Sequence, residues 1–143
     1  MNHDDYTDAY LRDVLEGART IAVVGASPRS DRPSHRVMRF LQRHGYRAIP
    51  VNPFAAGGEI LGERVYASLA DIPEPVDMVD IFRRSAAAGA AVDAAIAIGA
   101  KTVWMQLDVR DDAAAARAEA NGIKVVMNRC PAIEIPRLGI VAR

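Results

Sequence analysis

The residues best suited to chemistry in this sequence follow a β-rich segment, Thr20–Val24. A glycine directly after a strand lets ligands approach the backbone closely, and the next helix presents the positive end of its dipole there. Arginine can bind phosphate oxygens with two hydrogen bonds, and serine can donate a hydroxyl. The segment therefore predicts a phosphate-binding loop, with an ordinary turn carrying solvated arginines as the alternative. Its candidate residues are Gly25, Ala26, Ser27, Arg29, Arg32 and Ser34.

This loop lacks the two common nucleotide-binding fingerprints. Ser27 and Ser30 stand where the dinucleotide pattern G-x-G-x-x-G requires glycine. The second predicted strand ends in Asn52-Pro53, where NAD binding calls for an acidic residue. No Gly-Lys-Ser/Thr sequence of a P-loop is present. These differences favour a phosphorylated nucleotide of another kind, while an NAD(P)-binding oxidoreductase remains an alternative.

The stretch from Arg29 to Arg47 holds six arginines against one acid, Asp31. Only Arg32 and Arg36 lie near enough to the start of the predicted helix to contact a phosphate. The remaining arginines on this helix are typical of a solvated face.

The groups that could act in catalysis form no constellation. The three histidines, His3, His35 and His44, cannot be joined to a serine and an acid without arbitrary choice. Asp77 and Asp80 stand three positions apart in a predicted strand, which places them on opposite faces. We therefore expect no catalytic residue and no metal site.

Strand-like and helix-like segments alternate along the chain. This alternation predicts an α/β, Rossmann-like, doubly wound fold: a mainly parallel five-stranded sheet with helices on both faces and an N-terminal helix. A turn or hairpin and a helical turn started by Ser68 are expected between Phe54 and Pro75. The predicted strands are Thr20–Val24, Tyr46–Val51, Asp77–Phe82, Lys101–Leu107 and Ile123–Met127. The predicted helices are Thr7–Ala18, Arg32–His44, Ser85–Gly99 and one from Asp111 or Asp112 to near Gly122.

In such sheets, ligands bind outside the carboxyl ends of the strands. The first strand ends in the loop described above. Arg83 is the strongest further candidate, because it directly follows a buried-looking run. The later strand ends also contribute Asn52, Pro53, Phe82, Gln106, Asp108 and Cys130. Cys130 is interpreted as a buried, inert thiol, with a thiol redox step as the alternative.

Composition limits the class of protein. The 143 residues suit one domain, 1–143, with residues 1–6 expected to be a flexible tail. The 18 basic and 18 acidic side chains cancel, which disfavours binding to nucleic acid or to a membrane surface. The N-terminus does not look like a signal peptide, and no apolar run approaches the length of a membrane span. A cytoplasmic location is the expectation.

Eight segments in order resemble those of the small bacterial CoA-binding proteins. These stand-alone domains are similar to the N-terminal nucleotide-binding domain of the succinyl-CoA synthetase α subunit. The likeness extends from about Thr20 to Leu138. It is carried by Val24–Ser27, Arg32–Ser34, Gly45-Tyr46, Pro50–Pro53, Tyr66–Leu69 with Asp71–Pro73, Asp80–Arg83, Trp104–Leu107 and Asn128–Pro131.

The resemblance implies that the ligand is coenzyme A or an acyl-CoA. The Gly25–Ser27 loop with Arg32 and Ser34 would hold phosphates, and Asn52 and Pro53 would border the adenosine. Phe82 and Arg83 would lie along the ligand, and Trp104 and Gln106 would support the pocket floor.

The chain departs from the resembled pattern in two respects. Asp108 stands where the family usually has glycine, so a carboxylate either points away from the phosphates or alters the thiol end of the pocket. The synthetase domain that carries the phosphohistidine is missing. We therefore expect a protein that binds its ligand and does not catalyse a reaction on its own. It would act as a monomer, with a protein partner or as a homo-oligomer. The alternative is a subunit of a CoA-linked transferase or ligase.

Overall fold

The computed structural model describes residues 1–142. A 3-10 turn, Leu69–Asp71, follows Ser68. In chain order the elements are α1 (Asp8–Gly17), β1 (Thr20–Val24), α2 (Pro33–Arg43), β2 (Arg47–Val51), β3 (Glu59–Ile60), β4 (Glu63–Arg64), β5 (Met78–Ile81), α3 (Ser85–Ala97), β6 (Thr102–Met105), α4 (Asp112–Ala120), β7 (Lys124–Val126) and α5 (Pro131–Arg137).

Five parallel strands form the central sheet in the order β2-β1-β5-β6-β7. The chain runs from β1 to β2 at one edge and then returns to β5 on the other side of β1. The switch point of this doubly wound sheet therefore lies between β1 and β5. The fold class expected from the sequence is confirmed. The hairpin β3–β4 and the 3-10 turn confirm the expectation for the segment from Phe54 to Pro75.

Helices cover both faces of the sheet. On one face, α1, α2 and α5 contribute Leu15, Met38 and Ile135 to the core, each with 0% exposure. On the other face, α3 and α4 pack mostly through alanines such as Ala88 and Ala114, and these small side chains let the helices lie close to the strands. Each fully buried large aliphatic side chain stabilises the fold by about 1.5–3 kcal/mol. Within residues 1–142, no helix is long and apolar enough to cross a membrane.

Two tyrosine hydroxyls cover the exposed edge of β7. The Tyr10 hydroxyl donates to the carbonyl of Val125 at 2.8 Å and accepts from the amide of Val125 at 3.1 Å. The Tyr6 hydroxyl accepts from the amide of Met127 at 2.8 Å. These bonds replace those of a further strand, so an edge that could otherwise pair with another chain is satisfied internally.

The first residues of the chain contact the domain. A ring nitrogen of His3 lies 2.8 Å from a carboxylate oxygen of Glu119 on α4, and the other lies 2.7 Å from the Tyr6 hydroxyl. Tyr6 is buried. In the structure, residues 1–6, which the sequence suggested as a tail, thus connect α4 with the edge of β7.

Candidate functional site

A cavity of about 1020 Å³ opens at the carboxyl ends of β1, β5 and β6. Its volume is at the upper end of the range usual for small-molecule sites. It adjoins the switch point, where ligands bind in sheets of this kind. Its lining comprises Gly25, Ser27, Arg32, Pro33, Ser34, Arg36, Val37, Phe40, Phe82, Arg83, Arg84, Gln106, Leu107, Asp108, Val109, Cys130 and Ala132.

Gly25 allows the first loop to close against the end of β5. Its φ is +85°, and a Cβ built there would lie 2.3 Å from the carbonyl oxygen of Phe82. The amide of Phe82 in turn donates to the carbonyl of Val24 at 2.8 Å. Only glycine fits both the backbone angle and the contact. This close approach holds Phe82 and Arg83 beside the loop.

The backbone donors of this loop are used within the protein. The amides of Gly25 and Ala26 both donate to the carbonyl of Val51, at 3.0 and 3.3 Å. The amide of Ser27 donates to Oγ of Ser34 at 3.0 Å. This arrangement differs from the sequence-based expectation that these amides bind phosphate. The loop lies against the end of β2, which engages Gly25 and Ala26, and against the start of α2, which engages Ser27. An anion in the cavity must therefore find donors other than these three amides.

Four arginines line the cavity: Arg32, Arg36, Arg83 and Arg84. Within the described part of the chain, none of them forms a salt bridge, although Arg36 donates to the backbone carbonyl of Asp31 at 2.8 Å. Asp108 is the one acidic residue among the lining residues. The cavity therefore carries a positive charge that the protein does not neutralise, which suits an anionic ligand.

Seven of the eleven candidate binding residues line this cavity, and four do not. Arg29 is exposed and pairs with Asp31 at 3.1 Å, so its charge is neutralised outside the cavity. The amide of Asn52 connects two loops: Nδ2 donates to the carbonyl of Ala26 at 2.7 Å, and Oδ1 accepts from the amide of Phe54 at 2.8 Å. Ala26 is buried, and Pro53 is exposed.

A buried carboxyl lies behind the cavity floor. Asp80 on β5 has 0% exposure, and Gln106, which lines the cavity, has 6%. One terminal atom of the Gln106 amide lies 2.8 and 3.1 Å from the two carboxyl oxygens of Asp80. Burial raises the pKa of Asp80 well above its usual range, because the charged form cannot be solvated. Trp104, fully buried on the neighbouring strand, donates its indole N–H to the carbonyl of Arg129 at 2.8 Å.

Asp77 takes no part in this site. One of its carboxylate oxygens accepts from the amides of Arg19 and Thr20, both at 3.0 Å, at the opposite end of the sheet. These backbone bonds lower the pKa of Asp77 against the opposing effect of burial, which is the largest single influence. Asp77 and Asp80 thus have separate partners and form no carboxylate pair.

Asp108 has φ of +67°, in the left-handed region that glycine adopts most readily. Its amide donates to Oδ1 of Asn128 at 2.8 Å, and Asn128 also has a positive φ, 58°. Aspartate and asparagine tolerate this conformation better than most residues. The backbone angle is one that glycine, the residue that the resemblance implies at this position, adopts without strain.

The other reactive side chains are either buried or elsewhere. Cys130 is 7% exposed and lines the cavity. His44 lies at the end of α2, where Nε2 is 2.8 Å from the carbonyl of Ile140. No histidine is among the lining residues. Over residues 1–142, no three His, Cys, Asp or Glu residues are grouped closely enough to hold a metal ion.

Sequence reasoning missed two features of this site. Arg84 was not proposed, although it directly follows Arg83. Asp80 was considered only as a partner of Asp77. Its signal was available: a single carboxylate within the apolar run from Met78 to Phe82 indicates a buried acid that needs a partner.

Residues 19–136 match the family model described as the CoA binding domain. The match covers most of the chain. The chain belongs to the CoA binding domain family. The family therefore agrees with the resemblance drawn from the sequence motifs.

This CoA binding domain has relatives of similar length. It is 35% identical over 122 residues to YneT of Bacillus subtilis (strain 168), an uncharacterized protein, covering 85% of this chain and 89% of that one. A hypothetical protein from Pyrococcus horikoshii OT3 has a TM-score of 0.90 and 38% identity, with 96% of each chain covered. A Thermus thermophilus protein has a TM-score of 0.88 and 41% identity, covering 93% of this chain and 99% of that one.

A longer protein contains a related segment. Over 79 residues the domain is 38% identical to an ADP-forming acetate–CoA ligase of Archaeoglobus fulgidus. This match covers 54% of the present chain and only 11% of the ligase.

Proposed function

We propose that this domain binds coenzyme A or an acyl-CoA in the cavity at the ends of β1, β5 and β6. The single observation that carries the proposal is the set of four arginines that form no salt bridge within residues 1–142 and that surround a cavity of about 1020 Å³ in a chain of this family. Coenzyme A carries a diphosphate and a 3′-phosphate. Guanidinium groups without acidic partners are free to bind those oxygens.

Two parts of the cavity lining suit different parts of such a ligand. Arg32 and Ser34 lie at the start of α2, where the helix dipole also favours an anion. Phe82, Gln106 and Cys130 line the part formed by β5, β6 and the start of α5. We assign the phosphates to the first region and the pantetheine arm to the second.

Calorimetric titration with coenzyme A tests this assignment. Arg32→Ala should weaken binding by about 1.5–3 kcal/mol, or roughly 10- to 150-fold, because one charge-assisted hydrogen bond to phosphate is lost. Arg29→Ala is the matched control, since Arg29 is paired with Asp31 outside the cavity. If Arg32→Ala binds as tightly as the wild type, the assignment is wrong.

Binding without catalysis is the function that the lining residues favour. Asp108 and Cys130 are the only carboxylate and thiol among the lining residues, and no histidine joins them to complete an acid–base or nucleophilic constellation. We therefore expect that the purified chain does not convert acetyl-CoA, ADP and phosphate into acetate, CoA and ATP. Turnover by the purified chain would contradict the expectation.

The similarity to part of an acetate–CoA ligase favours a second candidate, in which the domain serves as the CoA-binding part of an assembly whose other subunit supplies catalytic groups. Under this candidate, the chain should copurify in stoichiometric amount with another protein. A lone monomer or homo-oligomer in native mass spectrometry of the purified natural protein would exclude it.

An NAD(P)-binding role has little support. The side chain of Asn52, at the position where an acid would bind the ribose hydroxyls, is already hydrogen-bonded on both sides. Saturable binding of NADH in a fluorescence titration would overturn this judgement.

A further inference from the structure

Arg83 is a partly buried arginine without a partner. Among residues 1–142, the two partly buried arginines are Arg83 and Arg129, and the others are exposed. Arg129 donates to the backbone carbonyl of Asn128 at 2.8 Å, and its guanidinium carbon lies 5.2 Å from the centroid of the Tyr6 ring. The guanidinium of Arg83 makes no hydrogen bond or salt bridge within the same residues. Because burial removes part of its hydration, an acceptor supplied by a ligand would stabilise this group.

The four arginines of the cavity form two pairs on the two sides of the sheet. Arg32 and Arg36 belong to the start of α2, which packs on the same face as α1 and α5. Arg83 and Arg84 lead from β5 into α3, which packs on the other face. The first turn of α3 holds no acid, and no side chain caps it, so the positive end of its dipole adds to the charge of the second pair.

The charge of the second pair is not matched by the protein or by coenzyme A. Asp108, the one acid of the lining, stands beside the start of α3, where its carbonyl accepts from the Ser85 hydroxyl at 3.3 Å. Its carboxylate forms no salt bridge within residues 1–142. Two guanidinium groups and one carboxylate leave a net positive charge. The pantetheine arm, which we assign to this part of the cavity, carries only amides, a hydroxyl and a thiol, so it brings no negative charge.

We propose that Arg83, assisted by Arg84, binds a carboxylate at the acyl end of the ligand. The ligand is then an acyl-CoA whose acyl chain ends in a carboxylate. The inference rests on the proposed function, because it takes the pantetheine arm to bring the acyl group to this place. A carboxylate can accept two parallel hydrogen bonds from one guanidinium, and its single negative charge balances the net charge of this part of the lining.

Calorimetry with matched pairs of ligands tests the carboxylate site. The two members of a pair have the same number of acyl carbons, and one ends in a carboxylate where the other ends in a methyl group. The pairs are malonyl-CoA with propionyl-CoA, succinyl-CoA with butyryl-CoA, and glutaryl-CoA with valeryl-CoA. In at least one pair, the wild type should bind the carboxylate member about tenfold more tightly, because a charge-assisted hydrogen bond is added.

Arg83→Met keeps an unbranched side chain and removes the charge. This variant should lose the preference for the carboxylate member and should bind the methyl members as tightly as the wild type does. Arg29→Ala is the control and should keep the preference, since Arg29 pairs with Asp31 outside the cavity.

Two results would overturn the inference while CoA binding stands. The first is equal affinity of the wild type for both members of every pair. The second is an equal loss for all six ligands in Arg83→Met, which would place Arg83 on a phosphate; if that loss is absent with 3′-dephospho-CoA, the group is the 3′-phosphate. If the wild type binds none of the six ligands, both the proposed function and this inference fail.

Discussion

Replacing Gly25 by alanine should destabilise the junction between the first loop and β5. The Cβ would lie 2.3 Å from the carbonyl oxygen of Phe82, whereas ordinary contacts begin at 3.4 Å, so the backbone must separate by about 1.1 Å. The φ of +85° adds a conformational cost of about 1–2 kcal/mol for a residue with a Cβ. Separation also stretches the hydrogen bond from the Phe82 amide to Val24, whose loss costs about 1–3 kcal/mol.

The expected total is a loss of about 2–5 kcal/mol, a large part of the stability of a typical domain. Urea denaturation followed by circular dichroism measures it, and the thermal midpoint should fall by about 2–4 °C per kcal/mol. Because Phe82 and Arg83 line the cavity, affinity for coenzyme A should fall as well.

Gly99→Ala is the matched control. Gly99 also has a positive φ, +73°, but no atom lies within 4 Å of the position that a Cβ would occupy there. This variant should lose only the conformational part, about 1–2 kcal/mol, and should keep its affinity for coenzyme A. If the two variants lose the same stability, the close approach of Gly25 to Phe82 contributes nothing and the reasoning is refuted.

Three further predictions concern charge, burial and pH. Asp108→Asn keeps a residue that tolerates φ of +67° and removes the carboxylate, which would repel the phosphates. Coenzyme A should therefore bind about two- to fivefold more tightly in calorimetry at low salt, and high salt should abolish this gain by screening the charges. Trp104→Phe leaves the carbonyl of Arg129 without its donor and should cost about 1–3 kcal/mol in urea denaturation; an unchanged midpoint would contradict this. Burial raises the pKa of Tyr10 in the folded protein to about 12, from 10 in the unfolded chain, so folding is favoured while the hydroxyl is protonated. This contribution to the free energy of unfolding should be lost as pH rises from 10 to 12. Tyr10→Phe should be less stable at neutral pH, because the edge of β7 loses both bonds, but should show a smaller alkaline loss; equal alkaline losses would refute the role of Tyr10.

Much of the fold could be predicted because it depends on local patterns. Short runs rich in β-branched and other apolar residues marked the strands, and capping and stop residues marked the helices to within a few positions. The short helix α5 was missed. It has seven residues and contains Pro136, so neither its length nor its composition distinguishes it from a loop. Its packing over the sheet through Ile135 accounts for its formation.

The candidate site could be predicted only in outline. The ends of the strands follow from the order of elements, and this rule alone found Arg83 and Gln106. Which charges remain free could not be read from the sequence. Arg29 and Arg32 both lie within two positions of Asp31, and the conformation of the loop decides that Asp31 pairs with Arg29.

The sequence by itself thus determined the alternating strands and helices, the place of the site at the carboxyl edge of the sheet, and the family motifs. Tertiary structure decided that the backbone amides of the first loop donate to Val51 and Ser34. It also decided that the Asp80 carboxyl lies against the side-chain amide of Gln106. The physical reason is the range of the interactions. Side-chain periodicity acts over a few residues, whereas hydrogen-bond partners and burial depend on strands that are far apart in the chain and become neighbours only in the folded sheet.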